Sequence, residues 1–158
     1  MASIEARGGA PAGDRIAAEL RGFGPLGLLA LPAFHYLAGN RAALPSAVYA
    51  MVVGGGFGEE TVFRGYLFER FGKLLGPATW ARAVTVLVTS AGFGLAHYPQ
   101  QGLAGVQQAT ITGLVFGTTY ALTGRLWPSM SAHAAFDLTA LALIYWDLES
   151  AVAHLLFK

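Results

Sequence analysis

The chain has 158 residues, 54% of them hydrophobic and only 12% charged, where a soluble globular domain carries about 25% charged residues. A net charge of +1 without any basic cluster excludes the phosphate contacts of a nucleic-acid binder. The absence of cysteine removes disulfides, thiolate metal ligands and a cysteine nucleophile together.

Taken in chain order, residues 1–22 mix Glu5, Arg7, Asp14, Arg15, Glu19 and Arg21 with glycine and proline. They lack the apolar stretch of a cleavable signal peptide and read as a short cytoplasmic tail, ahead of a single domain over 23–158. Apolar runs then predict an all-α, polytopic membrane bundle of about five transmembrane helices over residues 23–38, 44–71, 80–97, 103–122 and 127–146, since about 20 apolar residues cross a bilayer. The polar stretch Tyr98-Pro99-Gln100-Gln101-Gly102 supplies a turn between the third and fourth. Arg7, Arg15, Arg21, Arg70, Lys73, Arg82 and Arg125 fall on one side of this arrangement, and Arg41 and Lys158 on the other. The positive-inside rule then places the N-terminus in the cytoplasm and the C-terminus outside.

Within the second span, Glu59 and Glu60 follow a charge-free run over 42–58. An acidic residue at bilayer depth costs roughly 2.5 to 3.5 kcal/mol even on the lenient insertion scale, which favours a functional reading. Glu60 and Arg64 are four residues apart and share a helix face, while Glu59 points about 100° away, so one carboxylate can be held and the other left free. A salt-bridged pair that only fixes helix packing is the structural alternative. His97 ends the third helical run in Phe93-Gly94-Leu95-Ala96-His97, and the last helix carries His133 and Asp137 four residues apart, hence on one face. There Asp137 either shares a function with His133 or only orients its ring. His35 and His154 have no comparable partner in sequence and read as structural or interfacial. No histidine is followed by glutamate as in zincins, and no serine stands in a G-x-S-x-G elbow. The remaining carboxylates and imidazoles suit activation of a water or binding of a metal.

The three elements Glu59-Glu60-x-x-x-Arg64, Phe93-x-x-x-His97 and His133-x-x-x-Asp137, with the continuation Arg64-Gly65-Tyr66-Leu67, resemble the motif series of the CPBP family of intramembrane proteases. That family includes the type II CAAX prenyl proteases and the bacterial Abi proteins. The resemblance covers residues 54–143 and implies an intramembrane polar cavity and an endopeptidase acting near the C-terminus of a membrane-tethered substrate, either a CAAX-type or a sorting and anchoring segment. It implies further that Glu59 activates water with His97, that Glu60 and Arg64 support them, and that His133 and Asp137 polarise the carbonyl or stabilise the oxyanion. Phe93 would contact substrate. Glu59, His97 and His133 form a candidate zinc set, beside a metal-free glutamate mechanism. The implied location is the inner membrane of a bacterium, with the bilayer as partner. Two alternatives accompany this reading: a non-enzymatic regulatory or immunity-like module, and a small proton or metal-ion transporter. The spacing also sets a difficulty, because at about 1.5 Å per residue His97 and His133 would lie at different depths. Gly92, Gly94, Pro128 and the turn at Pro99 are the places where a helix could break to reconcile them.

Overall fold

The computed structural model describes residues 32–156, so the expected tail and the first part of the span over 23–38 lie outside the described residues. Short 3-10 turns at Pro32–Leu37 and Arg41–Ala43 lead into α1 (Leu44–Tyr49), with Pro45 in its first turn, where its missing N–H is harmless. The backbone then widens into π-helix over Ala50–Glu59 and again over Thr61–Leu67 before returning to α2 (Phe68–Leu75). Four helices follow: α3 (Thr79–Ala96), α4 (Tyr98–Thr123), α5 (Leu126–Tyr145) and α6 (Glu149–Leu156). The described residues contain no strand.

The membrane-bundle expectation does not survive. No helix among the described residues is long and apolar enough to cross a membrane. The physical reason differs from helix to helix. The run over 44–71 is divided by changes of winding and loaded with Glu59, Glu60 and Arg64. Helix α3 opens with Arg82 and spends Thr85, Thr89 and Ser90 on polar positions. Helix α4 is diluted by Gln100, Gln101, Gln107, Gln108 and four threonines before its last turn. It is also broken at Gly102, whose φ of 62° and ψ of −158° are not helical. Helix α5 carries His133 and Asp137 midway. With the spanning helices go the inferred orientation, the inner-membrane location, the bilayer as partner and the membrane-tethered substrate.

Packing between helices is set by small residues. Helices α3 and α4 form the closest pair, and Gly113 lies so near Ser90 that an added Cβ would come within 3.2 Å of its Cα. Helix α5 packs against Ala50–Glu59, and here too the approach is close. A Cβ at Gly56 would stand 2.7 Å from the Cβ of Ala134, and one at Gly55 would stand 2.6 Å from Oδ2 of Asp137. Such approaches exclude any larger residue unless the helices part. A small apolar core of Leu37, Ala47, Leu141 and Ile144 closes one end. Many large apolar side chains, among them Leu87, Leu95, Leu103, Leu122 and Trp127, remain exposed.

Candidate active site

The Glu59-Glu60 doublet is divided by the helix that carries it. Glu60 is fully buried and accepts a hydrogen bond of 2.8 Å from Nη1 of Arg64, one turn on. Arg64, itself 1% exposed, donates from Nη2 to the carbonyl oxygen of Gly113 at 3.0 Å, and its guanidinium lies 4.6 Å from the centroid of the Phe93 ring. Burial works against the Arg64 charge and lowers its pKa, while Glu60 and then Glu59 oppose that shift. An arginine stays protonated even so. A buried charge of this kind is tolerated only when paired and hydrogen-bonded, and Glu60, the Gly113 carbonyl and the Phe93 face supply those contacts.

Glu59 has the opposite surroundings. Its side chain is 38% exposed and lines a cavity of about 290 Å³ together with His97, His133, Asp137 and Gln100, Gln101 and Gln108. Its Oε2 is buried and has no hydrogen-bond partner. Nε2 of His97 and Nε2 of His133 each stand 3.9 Å from that oxygen. Oδ2 of Asp137 lies 3.6 Å from the same nitrogen of His133. The depth difficulty raised by the spacing therefore disappears: the two imidazoles meet at one carboxylate oxygen. The break falls at Gly102, within the turn expected over 98–102, while Gly92 and Gly94 lie inside the continuous helix α3.

Hydrogen bonding fixes which ring nitrogen carries the proton. Nδ1 of His97 lies 2.8 Å from the carbonyl oxygen of Phe93, which only accepts, so Nδ1 must be the donor. Nδ1 of His133 lies 2.9 Å from Oε1 of Glu60, the same oxygen that accepts from Arg64, and again it donates. In the neutral rings both Nε2 atoms then present lone pairs toward Glu59. The result is a convergence of acceptors with no protein donor between them. Separations of 3.9 Å exceed a hydrogen bond and suit a water about 2.8 Å from each partner.

Asp137 is largely buried, and its pKa is raised from 3.8 to about 6, first by burial and then by the negative charges of Glu59 and Glu60, against the pull of His133 and His97. It lines the cavity beside His133, and when protonated its carboxyl can donate a hydrogen bond there. Phe93, expected to touch substrate, is 1% exposed and packs edge-on against the rings of His97 and His133, with centroids 4.7 and 5.7 Å apart. Its position is beneath the imidazoles, bracing both. His35 sits away from this cluster, 3.8 Å from Asp147.

Several contributors escaped the sequence reading. Phe116 stacks on His133 with centroids 5.1 Å apart, and Gly55 and Gly56 admit α5 to the carboxylates. Gln108 stands in the cavity wall. The triple glycine just ahead of Glu59 and the glutamines within an apolar run were visible signals, but neither says what it faces.

Glu59, His97 and His133 carry donor atoms of the types that zinc takes. Both imidazoles have Nδ1 tied to an acceptor and Nε2 free, which is how metal-ligating histidines are held. The spacing is wider than a closed site requires, because bonds of about 2.0 to 2.1 Å in a tetrahedron put ligand atoms roughly 3.4 Å apart. Among the described residues no group of three or more such side chains is gathered closely enough to hold an ion as it stands.

No curated protein and no solved structure matches the chain. A family model does: the type II CAAX prenyl endopeptidase Rce1-like family matches residues 41–139, a stretch that runs from the turn before α1 into α5 and contains Glu59, Glu60, Arg64, Phe93, His97, His133 and Asp137. With more than half of its length matched and the whole polar cluster inside the match, the chain belongs to the Rce1-like family.

Proposed function

We propose that the chain is a peptide-bond hydrolase in which Glu59 and His97 activate a water against a carbonyl carbon held in the open cavity. The observation that carries this reading is the meeting of Glu59 Oε2, His97 Nε2 and His133 Nε2 at 3.9 Å separations, each an acceptor and none satisfied by a protein donor. The expectation of intramembrane cleavage is given up with the spanning helices.

In the forward direction the water donates to Glu59, and its oxygen attacks the carbonyl carbon as the carboxylate takes the proton. The carbonyl π pair moves onto oxygen, forming a tetrahedral oxyanion. A donor is needed at that oxygen, and the neutral Nε2 of His133 cannot provide one. Protonated Asp137 can, and so can His133 once it holds a second proton, with Glu60 at its far nitrogen to stabilise the imidazolium. The oxyanion then collapses, the C–N bond breaks, and Glu59 or His97 passes the water-derived proton to the departing amine. Zinc is a candidate cofactor that Glu59, His97 and His133 would hold, and when bound it would supply Lewis-acid polarisation and a water ionising near pH 7. The family is described as type II CAAX prenyl endopeptidase, Rce1-like, and a CAAX peptide is therefore the first substrate to try on this chain.

The test is cleavage of a farnesylated CAAX peptide, and of the same peptide unmodified, by purified protein and by Glu59→Gln, with and without a chelator. The proposal expects a loss of about 10³-fold or more in Glu59→Gln with unchanged thermal unfolding. Equal rates in the two proteins would overturn it, and the non-enzymatic module would then be the better account. Loss of the wild-type rate on chelation, restored by zinc alone, would place the metal in the reaction.

A further inference from the structure

Beyond the catalytic cavity lies a second one, of about 310 Å³, between α5 and α6 with Gln108 of α4 in its wall. Its lining is apolar from Ala135, Phe136, Leu143 and Val152, with one acidic residue, Glu149. That carboxylate is 6% exposed, and its Oε2 is buried without a hydrogen-bond partner. The geometry that puts it there is local. Helix α5 ends with Asp147 in the left-handed region at φ 55°, a conformation aspartate tolerates better than most residues. The N–H of Leu148 then bonds back to the carbonyl of Leu143 at 2.9 Å. This closure starts α6 at Glu149, at the cavity wall.

A carboxylate in an apolar chamber with one oxygen left without a partner is costly by itself. Burial, followed by the charge of Asp147, pushes its pKa up, against its own backbone N–H and the more distant pull of His35. His35 does not line the cavity. What the chamber lacks is a cation on an apolar stem.

The two cavities are also neighbours. Gln108, Phe136, Ala140 and Ile144 line both, so one layer of side chains separates Glu149's chamber from the cavity of Glu59, His97 and His133. A polypeptide whose scissile bond lies in the first can place a nearby side chain in the second. We propose that the α5–α6 cavity is a specificity subsite for a lysine or arginine side chain of the substrate, with Glu149 as its counter-charge. This rests on the hydrolase reading for its substrate, though not for its binding chemistry. Long cationic side chains bury their methylenes along apolar walls and deliver the charge at the end, and the apolar residues here surround such a stem. A carboxylate-bearing side chain would be repelled by Glu149, and a purely aliphatic one would leave it unpaired.

Two arms separate the subsite from the reaction. In the first, calorimetry follows pentylammonium and, as the uncharged comparison, pentanol binding to the full chain and to Glu149→Gln. The subsite predicts that Glu149→Gln weakens pentylammonium by about tenfold, the scale of a lost charge-assisted hydrogen bond, and leaves pentanol unchanged. Ala135→Leu, at an exposed position on the cavity wall, keeps the carboxylate and fills space, so it should weaken both ligands. Equal affinities for pentylammonium in wild type and Glu149→Gln, or no effect of Ala135→Leu, would overturn the subsite. In the second arm, peptides differing only in lysine or norleucine near the cleaved bond are compared. Wild type should favour lysine in kcat/KM by about tenfold at one position, and Glu149→Gln should lose the preference. Cleavage with no preference at any position overturns the subsite while sparing the hydrolase. Absence of cleavage from every peptide, with the ammonium result intact, counts against the hydrolase alone.

Discussion

Glu60 and Glu59 are consecutive residues on one helix, yet the region around each is built on opposite terms. Around Glu60 the polar groups are sealed from solvent and linked: Oε1 accepts from both Arg64 and Nδ1 of His133, and Arg64 also donates to the Gly113 carbonyl, while Oε2 of Glu60 and Nε of Arg64 are buried without a partner. Around Glu59 the groups face one another with lone pairs and stay short of contact, in a cavity open to the outside. The sealed region makes the open one possible. By accepting a hydrogen bond from Nδ1–H of His133, Glu60 leaves Nε2 bare toward Glu59, and Phe93's carbonyl does the same for His97. The hydrogen bonds at the two Nδ1 atoms are what turn both Nε2 lone pairs toward Glu59, and preorganisation of that kind is what a reactive site requires.

The comparison can be broken most severely from the sealed side. Arg64→Met leaves Glu60 as an uncompensated buried charge and should destabilise the fold by about 3 to 5 kcal/mol in denaturant titration. Combining it with Glu60→Gln should recover a large part of that loss, and simple additivity of the two would show that the pair is not coupled.

On the open side, Asp137→Asn should act in the stabilising direction. A folded pKa of about 6 against 3.8 means that the folded chain binds the proton more tightly than the unfolded one. Stability from this group is therefore fullest below about pH 4, falls as the pH rises toward 6, and is level above. Asparagine removes that slope and should gain about 2 to 3 kcal/mol at pH 7, seen as a flattened plot of unfolding free energy against pH between 4 and 6. If the Asp137 proton serves the oxyanion, wild-type cleavage also declines through pH 6, and Asp137→Asn, a permanent donor, extends activity above it.

Between the two regions, Gly56→Ala should cost about 1 to 3 kcal/mol, because the new methyl meets Ala134. It should also depress cleavage by parting α5 from Glu59. The smallest effect belongs to the exposed ion pair of Lys73 with Glu69. The lysine's hydrogen bond and charge hold the Glu69 pKa below its usual value, yet Lys73→Ala should leave thermal unfolding unchanged within error, since exposed pairs are screened by solvent.

Much of the site was legible because polar residues in apolar helices have few bland uses, and the intervals between Glu60 and Arg64 and between His133 and Asp137 translate directly into shared helix faces. The all-helical character followed from the same periodicity. What misled was counting apolar residues without asking what interrupts them. The widening of the helix over Ala50–Glu59 and the glutamines of α4 each break a run that hydropathy alone joins, whereas the break at Gly102 falls in the turn expected over 98–102. The close approaches at Gly55 and Gly56 and the stacking of Phe116 on His133 could not be read from spacing, because they depend on which helices pack together. The second cavity was hidden for the same reason, since Glu149 reads as an ordinary first-turn acid until α6 folds back beside α5.

The central claim is that both imidazoles present bare Nε2 atoms to Glu59, and ¹⁵N NMR of the histidine side chains tests it most directly. At neutral pH the account predicts the Nδ1–H tautomer at His97 and His133, with the His133 signature disturbed in Glu60→Gln and that of His97 retained. Protons resident on Nε2 of both rings, indifferent to Glu60→Gln, would contradict it.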